Sequence, residues 1–166
     1  ANIDAVLPGN APLWNQDLSA TLTYGTYTSL TFDATDLAAI TNAAYSDSML
    51  CMSCHDGTVA PGTFYNEPNP TGNASTAVAI TGNANMGTDL SNDHPVNFTY
   101  ASSVAQGDTG LVAEAGIVAY LDTGALGGQV QCSSCHDPHD ATQDADVDFM
   151  RASLANSLLC TTCHVK

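Results

Sequence analysis

Cys51-Met52-Ser53-Cys54-His55 returns twice further along the chain, as Cys132-Ser133-Ser134-Cys135-His136 and Cys160-Thr161-Thr162-Cys163-His164. The three copies consume all six cysteines and three of the five histidines. Two thiols at this spacing can form thioethers to the two vinyl groups of a haem, and the adjoining histidine then lies under the iron as proximal axial ligand. Structural zinc also uses paired Cys and His, but its half-sites close two at a time on one metal, which three pairs do not fit. A disulfide framework suits six cysteines, yet has no need of a histidine after every second one. A thioredoxin-like redox pair would occur once, beside a βαβ pattern that is missing here. The pattern therefore implies three covalently bound haem c groups. Cys51, Cys54, Cys132, Cys135, Cys160 and Cys163 attach them, and His55, His136 and His164 are the proximal ligands.

With 166 residues shared among three haems, the cofactors must supply much of the core and the polypeptide a thin wrapper. The expected fold is mostly irregular coil with a few short helices and a small β-hairpin, wrapped around a haem cluster. It forms a single domain over 1–166: a leader of hairpin and helix (1–45), a first haem segment with a long loop (46–100), and a segment carrying the second and third haems (101–166). Leu18–Tyr24 partly alternates, Gly25-Thr26 can turn, and Tyr27–Phe32 follows as the second strand. Asp36–Tyr45 is Ala-rich and predicts a short helix capped by Asp33 or Thr35. Asp47-Ser48-Met49-Leu50 and Asn156-Ser157-Leu158-Leu159 each place a capping residue and two apolar residues before a first cysteine, predicting a short helix into each of those sites. Gly127-Gly128-Gln129-Val130-Gln131 predicts an extended approach to Cys132. Residues 57–93, rich in Pro, Gly and Asn, read as a long loop that delivers His94, with Ala77–Ile80 as a short strand within it. Glu114–Tyr120 fits a strand and a helical turn equally.

Lys plus Arg number 2 against 17 Asp plus Glu, a formal net charge of −15. Nucleic acid and anionic membrane surfaces, both of which recruit Lys and Arg, are poor partners. Cationic partners and mineral surfaces are compatible, as is a charge that serves solubility alone. Only 11% of residues are charged, and small polar residues abound, which fits an exported or assembled protein better than a free cytosolic one. No apolar stretch is long enough for a transmembrane segment. The chain starts at Ala1 without Met, which reads as a processed N-terminus. Haem c is attached after export, so the expected location is extracellular or at the cell surface, with the periplasm as alternative.

Three irons have six axial positions, and the five histidines cannot fill them all. His94, in Asn92-Asp93-His94-Pro95, and His139, in Cys135-His136-Asp137-Pro138-His139, are the candidates for distal ligands. His139 stands too near His136 to reach the opposite face of the same haem and is better placed to serve a neighbouring one. The remaining position is open among Met49, Met52, Met86, Met150, the Ala1 amine, water and a group from another subunit. Methionine ligation would raise the reduction potential relative to two histidines.

These motifs in this order resemble the multihaem c-type cytochromes of the doubled-CxxCH family. The resemblance is carried by Leu50–Ala60, by Gly87–Val96 with its Asp93-His94-Pro95, by Val130–His139 and by Leu159–His164. It implies that His94 and His139 are distal haem ligands. Pro12-Leu13-Trp14-Asn15 is also similar to that family, where a histidine often follows; here Gln16 stands instead, which implies that the missing sixth ligand was lost at this position. The family resemblance implies electron carriage and, by looser analogy, polymeric extracellular cytochrome filaments.

The function expected is extracytoplasmic electron transfer through three haems, with a filament-forming subunit as its more specific version. The partners would then be other redox proteins, extracellular electron acceptors, or copies of the chain joined head to tail. A soluble periplasmic carrier is the alternative. So is a haem enzyme that reduces a small substrate at an open iron, although Arg151 and Lys166 alone make no cationic funnel for an anion.

Overall fold

The structure, a computed structural model, describes residues 16, 23–40, 46–63, 78–122, 127–139 and 149–165. Among these residues regular structure is scarce: a few short helices, one two-stranded antiparallel pair and much coil, which is the fold class expected. Two compact units are formed, one from Ala1–Tyr27 with Ala39–His94 and the other from Thr28–Ala38 with Pro95–Lys166. Among the described residues no helix is long and apolar enough to cross a membrane.

The first unit is built on helix α1, Asp47–His55, which contains the whole first Cys-x-x-Cys-His motif. Its cap is Ser46, one residue before the expected Asp47; the Ser46 hydroxyl accepts from the Met49 N–H at 3.1 Å and satisfies one of the free donors of the first turn. Met49 and Met52 turn inward and are buried. The chain then reverses at Gly57, whose φ of 75° lies in the left-handed region, with the Asn85 side chain pressed against it. Gly57→Ala should therefore destabilise the protein by about 1–3 kcal/mol, from the left-handed backbone plus displacement of the Asn85 amide. Urea unfolding measures this, and an unchanged midpoint would refute it.

Tyr24 and Gly25 thread between two segments of this unit. The Tyr24 N–H donates to Ile40 O at 3.2 Å, the Gly25 N–H to Thr88 O at 2.9 Å, and Gly25 O accepts from the Leu90 N–H at 3.2 Å. These contacts displace the expected hairpin. Gly25 bridges to Asp89 in parallel, and no strand forms over Tyr27–Phe32; the rest of the expected first strand lies outside the described residues. Val78–Ile80 is likewise coil rather than strand, with Ala77 outside the described residues, and a 3-10 turn follows at Gly82–Ala84.

The antiparallel pair belongs to the second unit. Strands β1 (Phe98–Thr99) and β2 (Gln129–Val130) align Phe98 with Val130 and Thr99 with Gln129. Helix α2, Tyr100–Ala105, leaves β1 directly. The core gathers Phe98, Tyr100, Ile117, Leu121 and Val130, with Phe32, Leu37, Val112 and Cys163 packed against it. Phe32 meets Phe98 edge to face at 5.2 Å, a favourable aromatic geometry. The Glu114–Tyr120 stretch resolves as two 3-10 turns, Glu114–Gly116 and Val118–Tyr120, which bring Ile117 into the core.

Residues 36–40 are not helical, contrary to expectation, and 41–45 lie outside the described residues. Asp36 is engaged elsewhere: its carboxylate accepts from the Thr99 N–H, the Thr99 hydroxyl and the Ser102 hydroxyl. Burial tends to raise its pKa, but the hydrogen bonds from Ser102 and Thr99 outweigh it and leave the group below the usual carboxylate value. Asn97 completes the bracket. Its amide donates to Ala38 O at 2.9 Å, and its backbone O accepts from the Ala38 N–H at 3.1 Å. Segment 36–38 is thus held out of a helix by tertiary hydrogen bonds that override its Ala-rich helical preference.

Candidate haem attachment sites

In α1, Cys51 precedes Cys54 by three residues and His55 by four, so the three side chains share one helical face. Both thiols are half-buried and free of disulfides. Burial pushes the Cys54 thiol up, the Asp56 carboxylate adds to this, and a hydrogen bond from Ser53 acts against it. His55 Nδ1 lies 2.8 Å from Ala84 O. A carbonyl oxygen only accepts, so Nδ1 is the donor in this contact, and Nε2 is the ring nitrogen left to face a metal. The Met86 N–H donates to His55 O at 2.7 Å, so the turn over 82–86 grips both the ring and the backbone of this residue. Asp56, next in sequence, is buried and accepts from the Tyr24 hydroxyl at 2.7 Å and from the Thr58 N–H and hydroxyl, each at 2.8 Å. Its carboxylate oxygens are thereby satisfied by hydrogen bonds.

The second motif is reached in extended conformation, as expected: β2 and Gln131 run straight into a 3-10 turn at Cys132–Ser134. The Gln131 N–H donates to the Ser134 hydroxyl at 2.9 Å, and the His136 N–H to Cys132 O at 3.0 Å, which folds the two cysteines and the histidine into one turn. A strand-like segment pairs with it. The Asp137 N–H donates to Phe149 O at 2.7 Å, the Arg151 N–H to Cys135 O at 2.9 Å, and His136 bridges Met150.

The third motif occupies helix α3, Leu158–Cys163, with His164 just beyond it in extended conformation. A helix is present as expected, but Asn156 does not cap it. Asn156 and Ser157 both adopt left-handed backbone (φ 54° and 60°), forming a kink after the 3-10 turn at Ala155–Ser157, and no side chain caps the start of α3. Segment 110–112 pairs with the motif: the Val112 N–H donates to Cys163 O at 2.9 Å and the Val165 N–H to Gly110 O at 2.8 Å. Cys163 rests on the core of the second unit.

The second and third motifs come together. Burial, followed by the nearby Cys163, Cys132 and Cys160, pushes the Cys135 thiol up, while Arg151 draws it down. Burial likewise raises Cys163. His94 and His139 are both exposed, and the His139 N–H donates to Asp137 Oδ1 at 3.0 Å. Among the described residues no three His, Cys, Asp or Glu side chains converge on a point that would hold a metal ion. Met49, Met52 and Met150 are buried, while Met86 is exposed. Gln16, where the resemblance implied a lost ligand, clamps the loop after the first motif: its amide donates to Ala60 O at 3.0 Å and accepts from the Gly62 N–H at 2.8 Å.

Free thiols paired at this spacing, each pair with an adjoining imidazole, form a donor set that fits a c-type haem. Residues 125–166 match the doubled CXXCH motif family. The match spans the second and third motifs and supports a c-type cytochrome-like, haem-binding electron-transfer module there, rather than specifically an enzyme. No curated protein matches the chain. The motifs indicate covalently bound c-type haem; when bound, its iron supplies one-electron redox chemistry, and the protein supplies position, ligands and polarity.

Three supporting residues escaped the sequence reading. The Ala84 carbonyl carried no signal beyond the Gly82-Asn83 turn that presents it. Tyr24 was read as a strand residue rather than the partner of Asp56. Arg151 stood out only as one of the chain's two Lys or Arg residues.

Proposed function

We propose that this chain is a tri-haem electron-transfer protein working outside the cytoplasm. Cys51 with Cys54, Cys132 with Cys135, and Cys160 with Cys163 each attach one haem. His55, His136 and His164 serve as proximal ligands, and His94 and His139 as distal ones. The observation that carries this reading is the repeated Cys-x-x-Cys-His with its free thiols, two copies of which lie in one compact unit and in the stretch that matches the doubled CXXCH motif family. Two haems held within one small unit stand within easy electron-hopping reach of each other. Other redox proteins, extracellular acceptors or further copies of the chain receive the electrons, and head-to-tail contact between copies would produce a filament. Exposed Leu154, Leu158 and Val165 beside the third motif support contact with another copy.

The test is the intact mass of the native protein together with its reduced-minus-oxidised spectrum and negative-stain microscopy. The expected results are three haem increments on the polypeptide, a reducible low-spin c-type spectrum and elongated assemblies. A polypeptide mass without any porphyrin would overturn the reading. Discrete particles alone would remove the filament and leave the carrier.

A further inference from the structure

Arg151 is the chain's sole arginine and, with Lys166, one of its two Lys or Arg residues, against 17 acids. Its Nη1 donates to Ser133 O at 3.0 Å, and Ser133 lies between the two cysteines of the second motif. Its Nη2 donates to Ala119 O at 2.8 Å, and the guanidinium lies over the Tyr120 ring, 5.3 Å from its centre. Its own N–H donates to Cys135 O at 2.9 Å. Among the described residues both side-chain hydrogen-bond acceptors are backbone carbonyls and no carboxylate is paired with it.

We infer that Arg151 sets the reduction potential of the second haem by placing a permanent positive charge beside the Cys132–Cys135 loop, where its hydrogen bond to Ser133 O holds it. The inference rests on the tri-haem reading. A guanidinium does not deprotonate in a protein, so the charge is constant at all working pH. Reduction adds one negative charge at the iron site, and a fixed positive charge nearby favours the reduced form by Coulomb attraction. The other motifs lack this device in different ways. Asp56 and Asp137 stand in the same place after His55 and His136, so they do not distinguish the first site from the second. The third motif has Val165 there, followed by Lys166. Arg151 thus separates the second site from the first and biases where an electron rests along the chain.

The experiment is a redox titration of the full-length holoprotein carrying Arg151→Gln or Arg151→Lys, followed by resolved spectra of the individual haems, with intact mass and melting temperature from the same samples. In Arg151→Gln one midpoint falls and the other two hold. The shift amounts to a several-fold to roughly tenfold change in the oxidised-to-reduced ratio at fixed potential, at most about 59 mV for one electron. Arg151→Lys keeps most of the native midpoint but melts lower, because the charge remains while the two-carbonyl fork is lost. Three unchanged midpoints in a fully loaded Gln variant would overturn the proposal alone. So would a Lys variant shifted as far as the Gln variant, which would make the effect one of geometry and not of charge. Native protein without haem would overturn the electron-transfer reading and this proposal together.

Discussion

Replacing Cys51 and Cys54 together with serine will remove one covalently held haem and leave the others in place. Their sulfurs are the only attachment points that α1 offers, and both motifs of the second unit keep theirs. The intact mass should drop by one haem increment, and the reduced α-band should lose roughly one third of its intensity. His55→Ala separates attachment from ligation. It leaves both thiols of the first motif, so the mass should keep every haem, but the imidazole held by Ala84 O is gone. One iron then loses its proximal ligand, and the spectrum should gain a component that binds carbon monoxide. A double-serine variant with the native mass would show that the first motif carries no haem. An alanine variant with an unchanged spectrum would show that His55 is not a ligand.

Tyr100→Phe will destabilise the second unit and change how its stability responds to alkali. The Tyr100 hydroxyl donates to Val112 O at 2.7 Å and reaches Cys163 O at 3.1 Å, tying the start of α2 to the paired segments 110–112 and 163–165. Phenylalanine keeps the buried ring but withdraws the donor from two partly buried carbonyls, an expected loss of about 1–3 kcal/mol. The pH dependence follows from the pKa of the phenol, which is pushed up to about 12 by burial first, with the nearby Cys163, Asp108 and Glu114 adding to it. The unfolded value is near 10. A group raised in the folded state contributes its full stability below the unfolded value and loses it as pH climbs through the folded one. Tyr100 therefore supports the fold at neutral pH and releases that support between about 10 and 12. Urea midpoints across this range should fall steeply in the native protein and less steeply in the phenylalanine variant. Equal stability at neutral pH with parallel alkaline limbs would refute this role.

The two outer motifs show how far local pattern carries. Asp47-Ser48-Met49-Leu50 and Asn156-Ser157-Leu158-Leu159 look alike, and a helix follows each. Their entrances differ: Ser46 caps α1 from outside the echo, while Asn156 and Ser157 form a left-handed kink. The kink coincides with a hydrogen bond from the Leu159 N–H back to Ser153 O, a closure that no pattern of apolar residues announces. The described part of the Ala-rich run, residues 36–40, is not helical for a similar reason, since Asp36 and Ala38 bond to Thr99, Ser102 and Asn97, about sixty residues away.

The chemistry of this protein was legible in the chain because it is local. Paired thiols with an adjoining imidazole lie within five consecutive residues, and their reactivity follows from residue type and spacing. The scarcity of regular structure was legible too, since a short chain serving several large cofactors has little left with which to build layers. Which groups surround those motifs was settled by folding alone. Ala84 meets the His55 ring, Arg151 grips Ser133, and Tyr100 joins Val112 to Cys163 across separations of 12 to 63 residues. Such contacts are chosen by whole-chain packing and hydrogen-bond satisfaction, and they carry no periodic trace in the residues that make them.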